Sequence, residues 1–192
     1  PQVHYEALLR LNDPLLGPLS PDAFFLVCEL QGKTSQVDRL VLANALDAAE
    51  SWAAQGMQHS KVCVNVAPVT LLEPDFAQWL GAKLQRRGLP WGTLQLEMTE
   101  HAIIACGAHM VQAINDLRML GVGVFMDDFG AGYSSLGVLA DLPISGIKCD
   151  RLFVRQLSQE PRRQSLLRHV VRLARDLQLE VVVEGVETEQ EL

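Results

Sequence analysis

The chain has 192 residues, of which 48% are hydrophobic and 20% are charged. This balance is typical of a globular domain with a buried core and excludes an intrinsically disordered chain. Its 16 basic and 23 acidic residues give a net charge of −7, which argues against general binding of nucleic acid or of an anionic membrane surface.

Short apolar runs alternate with longer helical patterns along the chain. In chain order the sequence predicts strand 3–9, helix 36–54, strand 61–66, helix 74–87, strand 93–98, helix 108–120, strands 122–126 and 144–149, helix 161–177 and strand 180–183. Strands that alternate with helices of about ten or more residues predict βα units around a parallel sheet. Gly56, Gly88 and Gly121 follow three of these helices, where a left-handed C-cap is expected.

Two of the predicted helices show a clear apolar face. The helical spacing predicts that one helix buries Phe76, Leu80 and Leu84, and that another buries Leu166, Val170, Leu173 and Leu177. We interpret the four widely spaced cysteines at positions 28, 63, 106 and 149 as small buried side chains in a reduced, cytoplasmic setting. Since no run of about 18 apolar residues occurs, we expect no membrane-spanning segment.

Nearly every predicted strand ends in a polar side chain. The residues are Glu6, Asn65, Glu97 with Glu100, Asp127 with Asp128, Lys148 with Asp150, and Glu184 with Glu187. One such residue would be an ordinary solvated loop side chain, but six successive strands with the same feature are not explained in that way. Because strand ends of a (β/α)8 barrel meet at the face that carries the active site, the pattern predicts a TIM-like α/β barrel with a polar site.

Five of these side chains are carboxylates, namely Glu6, Glu97, Asp127, Asp128 and Glu184. Carboxylates that lie close together raise each other's pKa unless a cation neutralises them. Mg²⁺ and Mn²⁺ prefer carboxylate and amide oxygens, and Asn65 offers an amide oxygen. The carboxylates are numerous enough for two ions, with Asp127 as the bridge. Such a pair, about 3.5–4 Å apart, promotes in-line phosphoryl displacement.

These motifs resemble the EAL domain, the bacterial phosphodiesterase domain for cyclic di-GMP. The matching segments are Glu6-Ala7-Leu8-Leu9-Arg10, Asn65-Val66-Ala67-Pro68, Glu97-Met98-Thr99-Glu100, the loop from Asp127 to Leu136, Ile147-Lys148-Cys149-Asp150 and Glu184-Gly185-Val186-Glu187. Ala67 stands where the family usually has a serine. The resemblance implies one partial EAL-type (β/α)8 barrel over residues 1–192, in which the family's first strand and last strand–helix unit are not seen.

The resemblance also implies roles for the strand-end residues. Glu6, Asn65, Glu97 and Asp127 would hold one metal ion, and Asp127, Asp128 and Glu184 would serve the second. Lys148 and Glu184 would be catalytic, with Lys148 either a base or a positioning cation. The remaining assignments are substrate contacts for Arg10, Asp150 and Glu187, and anchoring of the loop 128–135 for Glu100.

The function implied by the resemblance is the Mg²⁺- or Mn²⁺-dependent hydrolysis of cyclic di-GMP to linear pGpG in bacterial second-messenger signalling. A homodimer and tethered sensory or diguanylate cyclase domains are implied as well. Two alternatives stay open. One is a non-catalytic cyclic di-GMP receptor or protein-interaction module on the same fold. The other is a Mg²⁺-dependent barrel lyase that uses Lys148 as its base.

Overall fold

The computed structural model describes residues 3–57, 60–131, 136–154 and 160–188. The chain divides into two compact units, Pro1–Leu96 with Met119–Val122 and Glu97–Arg118 with Gly123–Leu192. Among the described residues, every helix is too short or too polar to cross a membrane.

The first unit combines parallel strands with a small hairpin and helices. Its strands are β1 (His4–Ala7), β2 (Leu11–Asp13), β3 (Gly17–Leu19), β4 (Lys61–Asn65) and the beginning of β5 (Leu94–Thr99). Its helices are α1 (Pro21–Leu30), α2 (Thr34–Ala54), α3 (Pro68–Leu71) and α4 (Phe76–Arg87). The strand order is β1-β4-β5, and β2 pairs antiparallel with β3. β1 runs parallel to β4, which places Glu6 opposite Cys63.

Apolar side chains at helical spacing form the core of this unit. Leu42 and Leu46 of α2 are fully buried, as are Leu80 and Leu84 of α4. The predicted apolar face of α4 is therefore confirmed. The helix ends at Gly88, whose φ of 62° is left-handed, as the sequence predicted. Glycine adopts this conformation without the steric cost that a Cβ would impose.

The second unit continues the alternation of strands and helices. Beyond the end of β5, its elements are α5 (Glu100–Ala105), α6 (Gly107–Met119), β6 (Gly123–Phe129), α7 (Leu136–Asp141), β7 (Gly146–Cys149), α8 (Pro161–Asp176) and β8 (Glu180–Val183). The strand order is β5-β6-β7-β8. β6 runs parallel to β7 and β7 to β8, and the β6–β7 register shifts between Met126 and Phe129. A shift of this kind bends the strand and redirects its side chains.

All six predicted strands are confirmed, as β1 and β4 to β8, and the four predicted helices are confirmed as α2, α4, α6 and α8. The prediction is partly wrong for the face of α8. Val170 is buried, but Leu166 is 55% exposed, because the inward-facing line of this helix runs through the half-buried Leu167 to Val170 and Ala174. The burial predicted for all four cysteines is wrong for Cys106, which is only half-buried at the end of the short helix α5.

Candidate active site

A buried lysine lies at the centre of the second unit's strand-end carboxylates. Lys148 of β7 is buried, and its Nζ lies 2.9 Å from Oε2 of Glu97 and 2.8 Å from Oε1 of Glu184. Asp127 Oδ1 lies 3.5 Å from the same nitrogen. The structure thus brings together four side chains that the sequence placed at strand ends. They come from β5, β6, β7 and the residue after β8.

The electrostatics of this cluster are unbalanced, with more negative than positive charge. Burial alone would lower the pKa of Lys148, but hydrogen bonds to Glu184 and Glu97, together with the negative charges of Glu97 and Asp127, outweigh it and raise that pKa. Burial raises the pKa of Asp128, and the neighbouring charges of Asp127, Asp150 and Glu184 raise it further. The attraction of Lys148 does not cancel this effect. A single ammonium therefore leaves uncompensated negative charge, which favours the binding of cations.

Near the end of β6, Asp128 has an uncommon backbone conformation. Its φ is 54°, and its backbone N–H donates to Oδ1 of Asp127 at 2.9 Å. Glu100 Oε2 accepts a hydrogen bond from the N–H of Gly130 at 3.3 Å, the contact expected of a loop anchor. Gly130 has a φ of 90°, and the ring of Phe153 fills the space that a Cβ would need. Residues 132–135 of the predicted loop lie outside the described residues.

Asp150, Glu184 and Glu187 follow β7 and β8. Asp150 Oδ1 accepts a hydrogen bond from the N–H of Leu152 at 2.7 Å and so begins a short 3₁₀ turn. The backbone N–H of Glu184 donates to the carbonyl oxygen of Cys149 at 3.1 Å, which ties the end of β8 to β7. Glu187 is exposed.

In the first unit the structure brings Glu6 and Asn65 together. Asn65 Nδ2 donates to Glu6 Oε1 at 2.8 Å, and both side chains are exposed. This bond identifies the other amide atom of Asn65 as the oxygen, which is the atom a metal ion would bind. Arg10 is also exposed, and its Nη1 donates to the carbonyl oxygen of Leu9 at 3.0 Å. No acid pairs with Arg10 among the described side chains.

Within the described ranges, no three His, Cys, Asp or Glu side chains are grouped so that they could hold a metal ion by themselves. In the second unit the carboxylates turn toward Lys148 instead. The donor types still fit a hard divalent cation, because carboxylate and amide oxygens are the ligands that Mg²⁺ and Mn²⁺ prefer.

The buried polar group around Asp38 was not predicted from the sequence. This carboxylate is buried in α2 and accepts hydrogen bonds from Ala67 and Thr70. A signal was present, since Asp38 stands four residues before Leu42 and eight before Leu46, on the apolar face of the helix. An acid at such a position must be satisfied by donors from another segment.

Comparisons with known proteins agree with these observations. The family model of the EAL domain matches residues 2–192. The chain is 36% identical over 186 residues to the cyclic di-GMP phosphodiesterase RocR of Pseudomonas aeruginosa, covering 97% of this chain and 47% of RocR. It is 34% identical over 186 residues to the cyclic di-GMP phosphodiesterase PdeR of Escherichia coli, covering 97% of this chain and 28% of PdeR. The chain thus spans less than half the length of either relative.

A solved structure gives the same result for the fold. The PaMucR phosphodiesterase in complex with c-di-GMP matches with a TM-score of 0.87 and 33% identity, covering 100% of this chain and 78% of that chain. The predicted α/β fold of the TIM-like EAL type is thereby confirmed.

Proposed function

Because the chain belongs to the EAL domain family, we propose that it hydrolyses cyclic di-GMP to linear pGpG in bacterial second-messenger signalling. The named activity of RocR and PdeR and the nucleotide in the PaMucR complex support this substrate. The observation that carries the proposal is the convergence of Glu97, Asp127 and Glu184 on the buried Lys148. A phosphodiesterase needs such a polar strand-end cluster, whereas a protein-interaction module does not.

The reaction adds water across one phosphodiester bond. The water oxygen bonds to phosphorus, the bond from phosphorus to the 3′ oxygen breaks, and the 3′ oxygen receives a proton. We assign Lys148 as the cation that offsets the charge of the scissile phosphate. Glu184 accepts a hydrogen bond from Lys148 and its side chain is 36% exposed, which suits it to orient the attacking water.

Mg²⁺ or Mn²⁺, bound as two ions, would polarise the phosphate and lower the pKa of water. We assign Glu6, Asn65, Glu97 and Asp127 to one ion, and Asp127, Asp128 and Glu184 to the other. The donor chemistry of these residues and the excess negative charge around Asp128 support the assignment. For Glu6 and Asn65 the support is their mutual hydrogen bond and their place at strand ends.

Three further residues are assigned to the substrate. Arg10 is exposed and pairs with no acid in the described part of the chain, so its planar guanidinium is available for a phosphate group. Asp150 and Glu187, which follow β7 and β8, complete the proposed substrate contacts. Glu100 would anchor the loop through Gly130. We further propose a cytoplasmic protein that forms a homodimer and carries sensory or diguanylate cyclase domains.

The test is to incubate the chain with cyclic di-GMP and Mg²⁺ or Mn²⁺, and to separate the products by chromatography. We expect pGpG to form with the metal ion and not with EDTA. Lys148→Met should abolish its formation, while the exposed Lys33→Met serves as the matched control. Tight nucleotide binding without pGpG would instead support the non-catalytic receptor, and full activity in Lys148→Met would contradict the role given to that lysine.

A further inference from the structure

Asp38 is a buried carboxylate outside the residues assigned to catalysis. It lies in the second turn of α2 and is only 2% exposed. Its Oδ2 accepts a hydrogen bond from the backbone N–H of Ala67 at 3.0 Å and another from the hydroxyl of Thr70 at 2.5 Å. Because an unsatisfied buried carboxylate is costly, these two donors explain how Asp38 is accommodated on an apolar helix face.

These contacts fix the chain just after β4. Ala67 precedes α3, and its methyl side chain offers no oxygen to cap that helix. Asp38 Oδ2 of α2 instead accepts a hydrogen bond from the backbone N–H of Ala67 itself. Thr70 is fully buried in α3 and binds the same oxygen, with Ser35 Oγ 3.3 Å from its hydroxyl. The start of α3 is therefore attached to α2 at two points.

Asn65, the last residue of β4, lies between the paired part of that strand and this attachment. On one side, β4 pairs with β1, so that Val64 lies opposite Ala7. On the other side, Val66 is buried and Ala67 is bound to Asp38. The exposed side chain of Asn65 thus projects from a backbone held at both ends. The position of its amide oxygen depends on both attachments.

We infer that Asp38 is a positioning residue that holds Asn65 in place for the binding of a divalent metal ion. The inference rests on the proposed function, in which Asn65 and Glu6 are metal ligands. A ligand already held in its bound position loses less conformational freedom on binding. Loss of Asp38 should therefore weaken metal affinity while leaving the chemical step at saturating metal unchanged.

Calorimetric titration of the purified chain with Mn²⁺ tests this inference. In Asp38→Ala we expect the Kd for Mn²⁺ to rise by about 10-fold to 100-fold, the usual effect of removing a group that orients a ligand. Asp38→Asn keeps one oxygen acceptor and should show a smaller rise. Asp47→Asn is the matched control, because Asp47 is also an acid of α2 but is exposed and pairs with Arg87; its Kd should not change.

Initial rates at increasing Mn²⁺ provide the second measurement. Asp38→Ala should need more Mn²⁺ for half-maximal rate and should reach the wild-type kcat at saturation. Wild-type Mn²⁺ affinity in Asp38→Ala, with or without a lower Tm, would overturn the inference and leave Asp38 a purely structural residue.

Two further outcomes separate this inference from the proposed function. If Asp38→Ala does not fold, Thr70→Val decides, because it removes one of the two donors to Asp38 and should raise the Kd by an intermediate factor. An unchanged Kd in that variant would count against the inference. A wild-type chain that binds no Mn²⁺ would overturn the proposed function itself, whereas normal wild-type binding with an unaffected Asp38→Ala would overturn only the role of Asp38.

Discussion

The ion pairs of Lys148 predict a large loss of stability when its charge is removed. Lys148→Met keeps an unbranched side chain of similar length and deletes the ammonium. Glu97, Asp127 and Glu184 then lose the cation that lies within 3.5 Å of each. Without metal ions, we expect the variant to unfold much more readily than the wild type, because the buried carboxylate of Glu97 loses the ammonium that offsets its charge.

The magnitude follows from the burial of the partners. The Glu97 side chain is fully buried and that of Lys148 is 8% exposed. Removing one member of such a buried pair costs about 3–5 kcal/mol. The Glu184 side chain is 36% exposed, so water replaces much of that pair and its share is small. For a chain of this size, about 2–4 °C per kcal/mol gives a fall in Tm of about 6–20 °C.

Thermal and urea unfolding in EDTA, followed by circular dichroism, measure this effect. Lys33→Met, at an exposed lysine, is the matched control and should change the free energy of unfolding by less than about 0.5 kcal/mol. In a Glu97→Gln background, Lys148→Met should cost about 0.5–3 kcal/mol less, because the buried negative charge that Lys148 offsets is already gone. A Lys148→Met chain within about 1 kcal/mol of the wild type would refute the reasoning.

Three other predictions concern stability and reactivity. Gly146→Ala should destabilise the chain by about 1–3 kcal/mol in urea unfolding, because the added Cβ would lie 2.6 Å from a backbone oxygen. Gly92→Ala is the control, because a Cβ added there has no atom within 4 Å. Equal losses of stability in the two variants would contradict this prediction. Burial raises the pKa of Cys149 to about 11, so iodoacetamide at about pH 8 should alkylate the half-buried Cys106 first, and equal rates would count against it. Burial also raises the pKa of Asp38, so its contribution to stability is full below about pH 3.9 and declines as pH rises through the raised pKa. The stability advantage of the wild type over Asp38→Asn, measured by urea unfolding, should therefore shrink from about pH 4 to pH 8. An advantage that grows over this range would contradict the predicted direction.

The strands and long helices were predictable because their own residues carry the signal. β4 and β6 each contain an apolar run that is followed by a polar side chain, and α4 repeats its buried residues every fourth position. The polar strand ends likewise predict that Lys148 and Glu97 lie close together, since parallel strands of a barrel deliver their final residues to one face. Lys148 and Glu97 form an ion pair in the second unit, which agrees with that prediction.

The hairpin β2–β3 and helix α1 were not predicted, for physical reasons. Each hairpin strand has only three residues, too few for an alternating pattern. Its turn depends on the Asp13 carboxylate, which accepts hydrogen bonds from the N–H groups of Leu15 and Leu16. Helix α1 carries consecutive apolar residues and buries only Cys28, so it has no single apolar face to recognise.

The structure also bears on the two roles that the sequence left open for Lys148. Burial lowers its pKa, but the hydrogen bonds to Glu184 and Glu97 and the surrounding negative charge outweigh this effect and raise the pKa. An efficient general base instead has a pKa near the working pH. Lys148 therefore keeps its proton at neutral pH, which supports the proposed role of a cation over that of a base. One ammonium among the carboxylates of Glu97, Asp127 and Glu184 leaves an excess of negative charge. Divalent ions could balance this excess without displacing the lysine, so we assign the activation of water to the proposed metal ions and the neutralisation of phosphate to Lys148.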